Sequence, residues 1–392
     1  MNRPSNTRLT MTTPCRPEAH TPRTDTPRDA ATRGARGESR RAPLAVALAS
    51  PATRRRHAGF GLVLSSLCAV GFATPAFASE PGGAVTLTVE NDVLTGSDNA
   101  YTNGLGATWV SDNLDAYDDK AFVRRWGKFW SFLPFIGDPD TSTYASWTLS
   151  QEMHTPSDIT VADPPLTDQP YAGVLAVDSV LYARSARWTN AWDIKLGVTG
   201  EASGAASTQR KFHRAIGADE PMGWHTQLPS EPIINLGFTT AHLWKEGDLG
   251  DTAKWRLVPV GDVNVGTYFT GAGAGMYGEF GWNLVDALGG TSLREGLFAA
   301  STVGVKPVDR WSVSFFGGIA GHAVAHYLPL DGTVFRDSRS VDTKPFVGNA
   351  TVGASVRHGR FALSLSATKS TKAFDGQEEG ADFANLSLSW LQ

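Results

Sequence analysis

Short segments with a period of two residues dominate the chain after Ser79 and constrain its fold more than any other feature. In residues 85–89 valine and leucine alternate with threonine, and residues 386–390 alternate apolar side chains with serine in the same way. A period of two places successive side chains on opposite faces of a strand. The pattern therefore predicts an all-β protein.

Segments of about ten residues with one apolar face, separated by turn residues, are typical of membrane-spanning barrels. No run after Ser79 approaches about 18 uninterrupted apolar residues, which excludes a helical membrane protein. Closing the sheet is the way in which strands pair all their backbone groups in lipid. We therefore predict a transmembrane antiparallel β-barrel of about 12 strands, with strand centres near Leu87, Leu105, Leu149, Val177, Leu196, Leu236, Val260, Tyr277, Phe315, Val352, Leu365 and Leu388.

Aromatic residues occur at many predicted strand ends, which favours two girdles at the lipid–water boundaries. The alternative is a soluble β-sandwich or lipocalin-like barrel, whose apolar face points inward, and alternation alone does not distinguish the two. The tryptophan content and the N-terminal segment favour the membrane. The predicted girdle residues are Tyr101, Trp109, Trp147, Tyr171, Trp188, Trp192, Trp255, Tyr268, Trp282, Trp311 and Trp390.

Residues 1–78 have the composition of an export signal with a polar extension. They contain twelve Arg and four acidic residues, a net charge of +8; the whole chain carries −4, so the remainder carries −12. Arg54–Arg56 precede an apolar run that is broken at Pro75, and residues 76–78 read Ala-Phe-Ala, a typical cleavage site. A transmembrane anchor would need about 20 apolar residues. We expect residues 1–78 to be removed and residues 79–392 to form the barrel in a bacterial outer membrane.

If the N-terminus begins in the periplasm, the odd-numbered connections between strands face outward, and the first of these carries a possible cation site. Residues 90–92 read Glu-Asn-Asp and residues 101–104 read Tyr-Thr-Asn-Gly. Carboxylate, amide and carbonyl oxygens are the ligands that Ca²⁺ takes. The alternative is an ordinary turn, in which Asn and Asp are common.

The third outward connection contains a predicted helix over residues 209–216. Ser207 or Thr208 can cap its start and Gly217 can end it. Gln209 and His213 are four residues apart and so share one face. A histidine that titrates near neutrality, beside an amide and a carboxylate, is suited to activate water, although a solvated surface histidine is the simpler alternative.

Taken together, these segments resemble the lipid A 3-O-deacylase family of Gram-negative outer membranes. The resemblance spans about residues 85–392. It rests on five short motifs in the same order, which are residues 90–92, 101–104, 155–157, 168–173 and 209–218 followed by Gly223-Trp224.

The resemblance implies hydrolysis of the ester that holds the 3′ acyloxyacyl chain of lipid A, in a lateral groove near the outer surface, with Ca²⁺ as cofactor and lipopolysaccharide of the outer leaflet as partner. It implies that His213 is the general base and that Asn91 and Gln209 position the histidine or the ester. By the same resemblance Asp92, the Thr102 carbonyl and Asp219 surround the metal, and no serine nucleophile is needed. Arg210, Lys211 and Arg214 are the nearest basic residues for the substrate headgroup, because residues 155–183 contain neither Lys nor Arg.

Three departures from the family pattern bear on the site, and one is the missing basic residue in residues 155–183. Asp219 stands where the longer Glu is expected, and strict alternation places Asn91 on the outward face but Asp92 inside, unless the strand ends or bulges there. The competing readings are a passive or structural barrel and a serine-dependent lipid hydrolase built on His154, Thr155 and Ser157. We expect a monomer that does not bind nucleic acid.

Overall fold

A computed structural model describes residues 82–91, 101–285 and 302–392. The predicted export segment, residues 1–78, and the predicted metal ligand Asp92 lie outside these residues.

Strands form most of the described chain. Each of the twelve predicted strand centres lies inside a strand, and one further short strand, β7, was not predicted. The bounds are β1 Ala84–Asn91, β2 Tyr101–Val110, β3 Ser142–His154, β4 Ala172–Arg184, β5 Trp188–Thr199, β6 Pro232–His242, β7 Lys245–Leu249, β8 Ala253–Gly266, β9 Phe269–Trp282, β10 Val308–Tyr327, β11 Phe346–Gly359, β12 Phe361–Ser370 and β13 Asp382–Leu391.

The sheet closes on itself as an antiparallel barrel of 12 strands. Strand β1 pairs with β13, and β6 pairs with β8, while β7 forms an extra hairpin beside β8. Inside the closing seam, Thr86 and Ser389 hydroxyls lie 2.8 Å apart and Thr88 and Ser387 hydroxyls lie 3.1 Å apart. Closure leaves no open edge among the 12 wall strands, as lipid requires. The predicted fold class is confirmed.

The barrel is apolar outside and polar inside, which is the inverse of a soluble barrel. Its lumen-facing positions include buried Thr86, Thr88, Ser146, Ser150, Glu152, Ser364, Ser366, Ser387 and Ser389. Its outward positions include exposed Leu149, Val177, Leu196, Ile234, Val263, Ile319, Val352 and Leu363. An apolar band of this kind is the lipid-facing surface of an outer-membrane barrel.

The lumen contains compensated charges. The Glu152 carboxylate accepts a hydrogen bond from Tyr268 at 2.5 Å and lies 3.3 Å from the Lys195 ammonium and 3.5 Å from His154. Lys195 also lies 3.5 Å from Asp178. Buried charges persist only when paired in this way.

Within the described ranges, three α-helices lie in the connections: α1 Phe122–Phe129, α2 Ala205–Ile216 and α3 Leu328–Asp331. Short 3-10 turns span Leu114–Ala116, Gly200–Ser203 and Trp224–Thr226. Among the described residues, no helix is long and apolar enough to cross a membrane.

The predicted helix start was wrong, although the end was right. Helix α2 starts at Ala205. The residue before it, Gly204, has a left-handed backbone, and no side chain caps the helix there. Ser207 and Thr208 therefore lie inside the helix. The preceding 3-10 turn sets this start, because Gly204 donates its N–H to the Glu201 carbonyl. Gly217 ends the helix at φ 68°, a conformation that glycine adopts without strain.

The predicted aromatic girdle is wrong for three members. Trp188, Trp282 and Trp311 are exposed on the wall, but Tyr171, Tyr268 and Trp109 are buried. Tyr171 packs beneath α2, Tyr268 bonds to Glu152 in the lumen, and Trp109 stacks on Trp147. Sequence position at a strand end does not reveal whether a loop folds back over the residue.

Candidate functional site

Helix α2 lies on the lipid-facing surface of the barrel wall, against the end of β3 and the start of β4. Met153 of β3 is outward-facing, and it is buried in a cluster with Ala205 and Trp224. Gly173 of β4 permits the close approach, because a Cβ there would lie 2.3 Å from the Ser203 hydroxyl and 2.5 Å from the Ala205 methyl. The helix is therefore held laterally, on the side that faces lipid.

Gln209 is the buried anchor of α2. Its Oε1 accepts a hydrogen bond of 2.5 Å from the Trp224 indole, and Trp224 in turn packs on Tyr171 with ring centroids 4.9 Å apart. Burial raises the pKa of Tyr171 to about 12, so its hydroxyl stays a donor, and it donates to the Ile159 carbonyl at 3.3 Å. The Gln209 Nε2 amide is buried without a hydrogen-bond partner.

His213 lies one helical turn after Gln209 and is half-buried. Its Nδ1 lies 2.6 Å from the backbone carbonyl of Asp219. Since a carbonyl only accepts, Nδ1 carries the proton in this contact, and the neutral ring then presents an unprotonated Nε2. Asp219 thus reaches His213 through its backbone, and its carboxylate is exposed.

The three predicted substrate-binding residues line one groove. Arg210, Lys211 and Arg214 share it with Trp224 and His225 in a volume of about 850 Å³. Positions 207, 210, 211 and 214 form the helix face toward the groove, whereas Gln209 and His213 lie on the adjacent face. Trp224 joins the two faces, because it lines the groove and also bonds to Gln209.

Asn91 lies in the same row of the wall as the contacts of α2. The register pairs Asn91 with Asn103, Asn103 with Met153, and Met153 with Gly173. Residues paired across antiparallel strands share a face, so Asn91 points outward, as predicted from alternation. Two strand spacings, roughly 10 Å, separate the backbones of Asn91 and Met153.

The backbone at Thr102 suits a carbonyl ligand. The β2–β3 register shifts between Tyr101 and Asn103, which leaves Thr102 without a partner on β3. A bulge of this kind leaves the extra residue out of the ladder. No cluster of three His, Cys, Asp or Glu side chains occurs in the described part of the chain, so a cation here would depend on carbonyl oxygens together with the predicted carboxylate ligands, Asp92 and Asp219. These are hard oxygen donors, which fit Ca²⁺.

Asn103 was not predicted as a site residue, although it belongs to the motif of residues 101–104. Its side chain is 6% exposed, and its Oδ1 is buried without a hydrogen-bond partner. It lies between Asn91 and Met153 in the row described above. The amide in the Tyr-Thr-Asn-Gly motif was the signal in the sequence that could have indicated it.

The residues of the serine-hydrolase alternative do not form a pair. His154 points into the lumen toward Glu152, whereas the Ser157 hydroxyl donates to Asp168 at 2.6 Å in the exposed loop. A basic residue from the β10–β11 connection contacts this loop. The Arg339 guanidinium donates to the Pro164 and Pro165 carbonyls at 3.0 and 2.8 Å.

Comparisons with known proteins place this architecture in a family. The family model described as outer membrane protein LpxR matches residues 62–391. The chain belongs to the LpxR family. The barrel is therefore a bacterial outer-membrane protein of that family, in agreement with the resemblance drawn from its motifs.

One solved structure agrees at the level of the fold. LpxR from Salmonella typhimurium superposes with a TM-score of 0.62 at 18% identity, over 78% of this chain and 99% of that one. The β domain of a Bordetella autotransporter has a TM-score of 0.39 at 9% identity, over 79% of this chain and 98% of that one. An outer-membrane channel from Pseudomonas putida F1 has a TM-score of 0.37 at 10% identity, over 79% and 96%. No curated protein sequence matches the chain.

Within the LpxR family fold, the candidate site is thus a lateral one. Helix α2 carries Gln209 and His213 on one face and the three basic residues on the adjacent face, beside the end of β3 and the start of β4. Asn91 points outward from β1, in the row of the wall that includes Met153, and Thr102 lies at the register shift of β2.

Proposed function

We propose that this protein is a lipid A deacylase that hydrolyses the ester of the 3′ acyloxyacyl chain. The observation that carries the proposal is the contact between His213 Nδ1 and the Asp219 carbonyl, which leaves Nε2 as a base on the lipid-facing side of the barrel. A hydrolase that acts on a membrane lipid needs a water-activating group at that place, whereas a passive barrel has no use for it.

In the proposed reaction, His213 Nε2 takes a proton from water as the water oxygen bonds to the acyl carbonyl carbon. The bond between that carbon and the sugar O3′ then breaks, and the proton on His213 passes to the leaving alkoxide. The products are a free acyloxyacyl acid and lipid A with a 3′ hydroxyl. The Asp219 carbonyl keeps the imidazole in the required tautomer throughout.

The other site residues bind and orient. The buried Gln209 Nε2 is a donor without a protein partner, and Asn91 lies in the outward row of the wall that α2 contacts. Both are therefore suited to position the ester or the histidine. Arg210, Lys211 and Arg214 form the cationic face of the groove, which suits the phosphate groups of lipid A.

Asp92, the Thr102 carbonyl and Asp219 would hold the Ca²⁺ ion. When bound, that ion would supply positive charge for the oxyanion that develops on the ester carbonyl. Because Asp219 is one methylene shorter than Glu, we expect the affinity for Ca²⁺, rather than the base, to differ most from relatives with Glu.

The test is mass spectrometry of lipid A from a Gram-negative host that expresses the protein. We expect loss of one acyloxyacyl unit, and we expect His213→Ala to reduce the rate by about 10²–10⁴-fold. Chelation of Ca²⁺ should also stop the reaction. His358→Ala is the matched control, because His358 is exposed and stacks on Trp311 at the opposite end of the barrel.

Heat-modifiable migration establishes that each variant forms the barrel. Unchanged lipid A from a correctly folded wild-type barrel, with Ca²⁺ present, would contradict the proposal. Activity that survives His213→Ala would contradict the assigned base.

A further inference from the structure

The connection between β2 and β3 lies at the end of the barrel opposite the candidate site. Helix α1 in this connection contacts Trp147 near the start of β3, whereas α2 packs on Met153 near its end. Six residues separate these contacts along one strand, which is roughly 20 Å. Ala84 at the start of β1 pairs with Leu391 and with Val110, so both ends of the barrel chain lie at the α1 end. With the N-terminus in the periplasm, α1 therefore belongs to the periplasmic side.

This connection folds back onto the lipid-facing wall instead of extending into the periplasm. The Trp126 ring lies 6.2 Å from Trp147 of β3, and the Phe135 ring stacks 6.1 Å from Phe238 of β6. The Trp192 indole of β5 donates to the Pro134 carbonyl at 3.1 Å. Trp147, Trp192 and Phe238 occupy outward positions in their strands, in phase with exposed Leu149, Leu196 and Leu236.

The outer surface of the connection is aromatic. Phe122, Phe129, Phe132 and Phe135 are 54%, 65%, 69% and 42% exposed. Four large apolar side chains on one short segment form the kind of patch that marks an interaction surface. The patch is continuous with the apolar band of β3, β5 and β6, which already faces the membrane.

Several of the charges around this patch are paired with one another. Arg124 pairs with Asp115 and Asp119 at 2.8 Å, and Lys128 pairs with Asp119 at 2.8 Å. The positive charges of these two side chains are therefore balanced by neighbouring carboxylates. Arg125 is exposed, and no ion pair in the described residues involves it. An aromatic face combined with a free cation is typical of helices that lie in the headgroup region.

We propose that residues 122–135 form an interfacial anchor that inserts its phenylalanines into the periplasmic leaflet and binds anionic phospholipid headgroups through Arg125. The occupant is the phospholipid bilayer rather than another protein, because the patch extends a surface that lipid already covers. The anchor and α2 both pack on β3. The anchor therefore fixes the depth in the membrane at which the part of the wall beside the candidate site lies. This inference does not depend on the proposed deacylation.

The test uses site-directed spin labels in vesicles of phosphatidylethanolamine and phosphatidylglycerol. In the full chain with Cys15→Ser and Cys68→Ser, single Phe129→Cys and Phe132→Cys variants carry the label. Asp140→Cys, which is exposed in the same connection, is the matched control. We expect a several-fold higher ratio of oxygen to nickel-complex collisions at positions 129 and 132 than at 140.

Hydroxyl-radical footprinting of the unsubstituted protein gives the same answer without a variant. Phe335 in the β10–β11 connection is 64% exposed, close to the values for Phe129 and Phe132. We expect Phe335 to be oxidised several-fold more than either phenylalanine in the same vesicles. Equal oxidation, or labels at 129 and 132 as accessible to nickel as at 140, would overturn the proposal. Dipolar coupling between labels of two copies would also overturn it, in favour of a dimer contact.

Discussion

His213 and Gln209 stand one turn apart on α2, yet their surroundings give them different roles. Gln209 is 1% exposed and is held by Trp224, whereas His213 is half-buried and is oriented by a backbone carbonyl. The first contact secures the helix to the wall and the second selects a tautomer. Both depend on the segment after Gly217, which returns Asp219 and Trp224 to the helix.

The bond between Gln209 and Trp224 can be tested by substitution. We expect Gln209→Leu to lower the free energy of unfolding by about 1–3 kcal/mol, because it leaves the buried indole N–H without an acceptor. Trp224→Phe combined with Gln209→Leu should cost less than the sum of the single changes. Denaturant unfolding of the barrel in vesicles measures both, and strict additivity would show that the bond does not couple the residues.

A second prediction at the residue scale concerns the lumen. We expect Glu152→Leu to destabilise the barrel by roughly 3–5 kcal/mol, because it removes the main partner of the buried Lys195 ammonium. Asp178→Asn is the matched control and should cost less, since Lys195 then retains Glu152 at 3.3 Å. Unfolding midpoints in urea distinguish the two. A larger loss for the Asp178 variant would reverse the assigned order of partners.

At the scale of elements, the docking of α2 depends on Gly173. A Cβ at this position would meet the Ser203 hydroxyl and Ala205 at contact distances that real side chains do not adopt. We therefore expect Gly173→Ala to displace α2 from the wall and to expose residues 205–230 to protease. The rate of the proposed deacylation should fall on the order of 10²-fold, because the catalytic groups lose their orientation.

Gly321→Ala is the control for this change, because a Cβ there meets nothing within 4 Å and the residue lies in a strand. Both variants should remain heat-modifiable. Full activity and protease resistance of Gly173→Ala would show that α2 does not need this close approach.

At the scale of the whole molecule, closure depends on the last strand. Strand β13 pairs with β1 along Ala84–Asn91 and with β12 along Phe361–Lys369, so its loss exposes two strand edges to lipid. We expect deletion of residues 382–392 to abolish the heat-modifiable band. Deletion of Gln392 alone removes one backbone bond, from its N–H to the Gly83 carbonyl, and should leave the barrel closed. A closed barrel without β13 would contradict the topology.

The sequence by itself determined the strands, because a lipid-facing wall imposes a strict period of two on every segment. All twelve strand centres, the family and the end of α2 at Gly217 followed from local patterns. The start of α2 did not follow, since a 3-10 turn before Gly204 overrides the caps that Ser207 and Thr208 offer.

Only the tertiary structure decided which residues meet one another. Alternation by itself does not distinguish inside from outside; the tryptophan content and the N-terminal segment favoured an apolar outside, and closure of the sheet confirmed it. The burial of Tyr171, the carbonyl that orients His213 and the row from Asn91 through Asn103 to Met153 all depend on contacts between residues that are distant in sequence. Such contacts are set by strand register and by loops that fold back onto the wall, and no local pattern of residues encodes them.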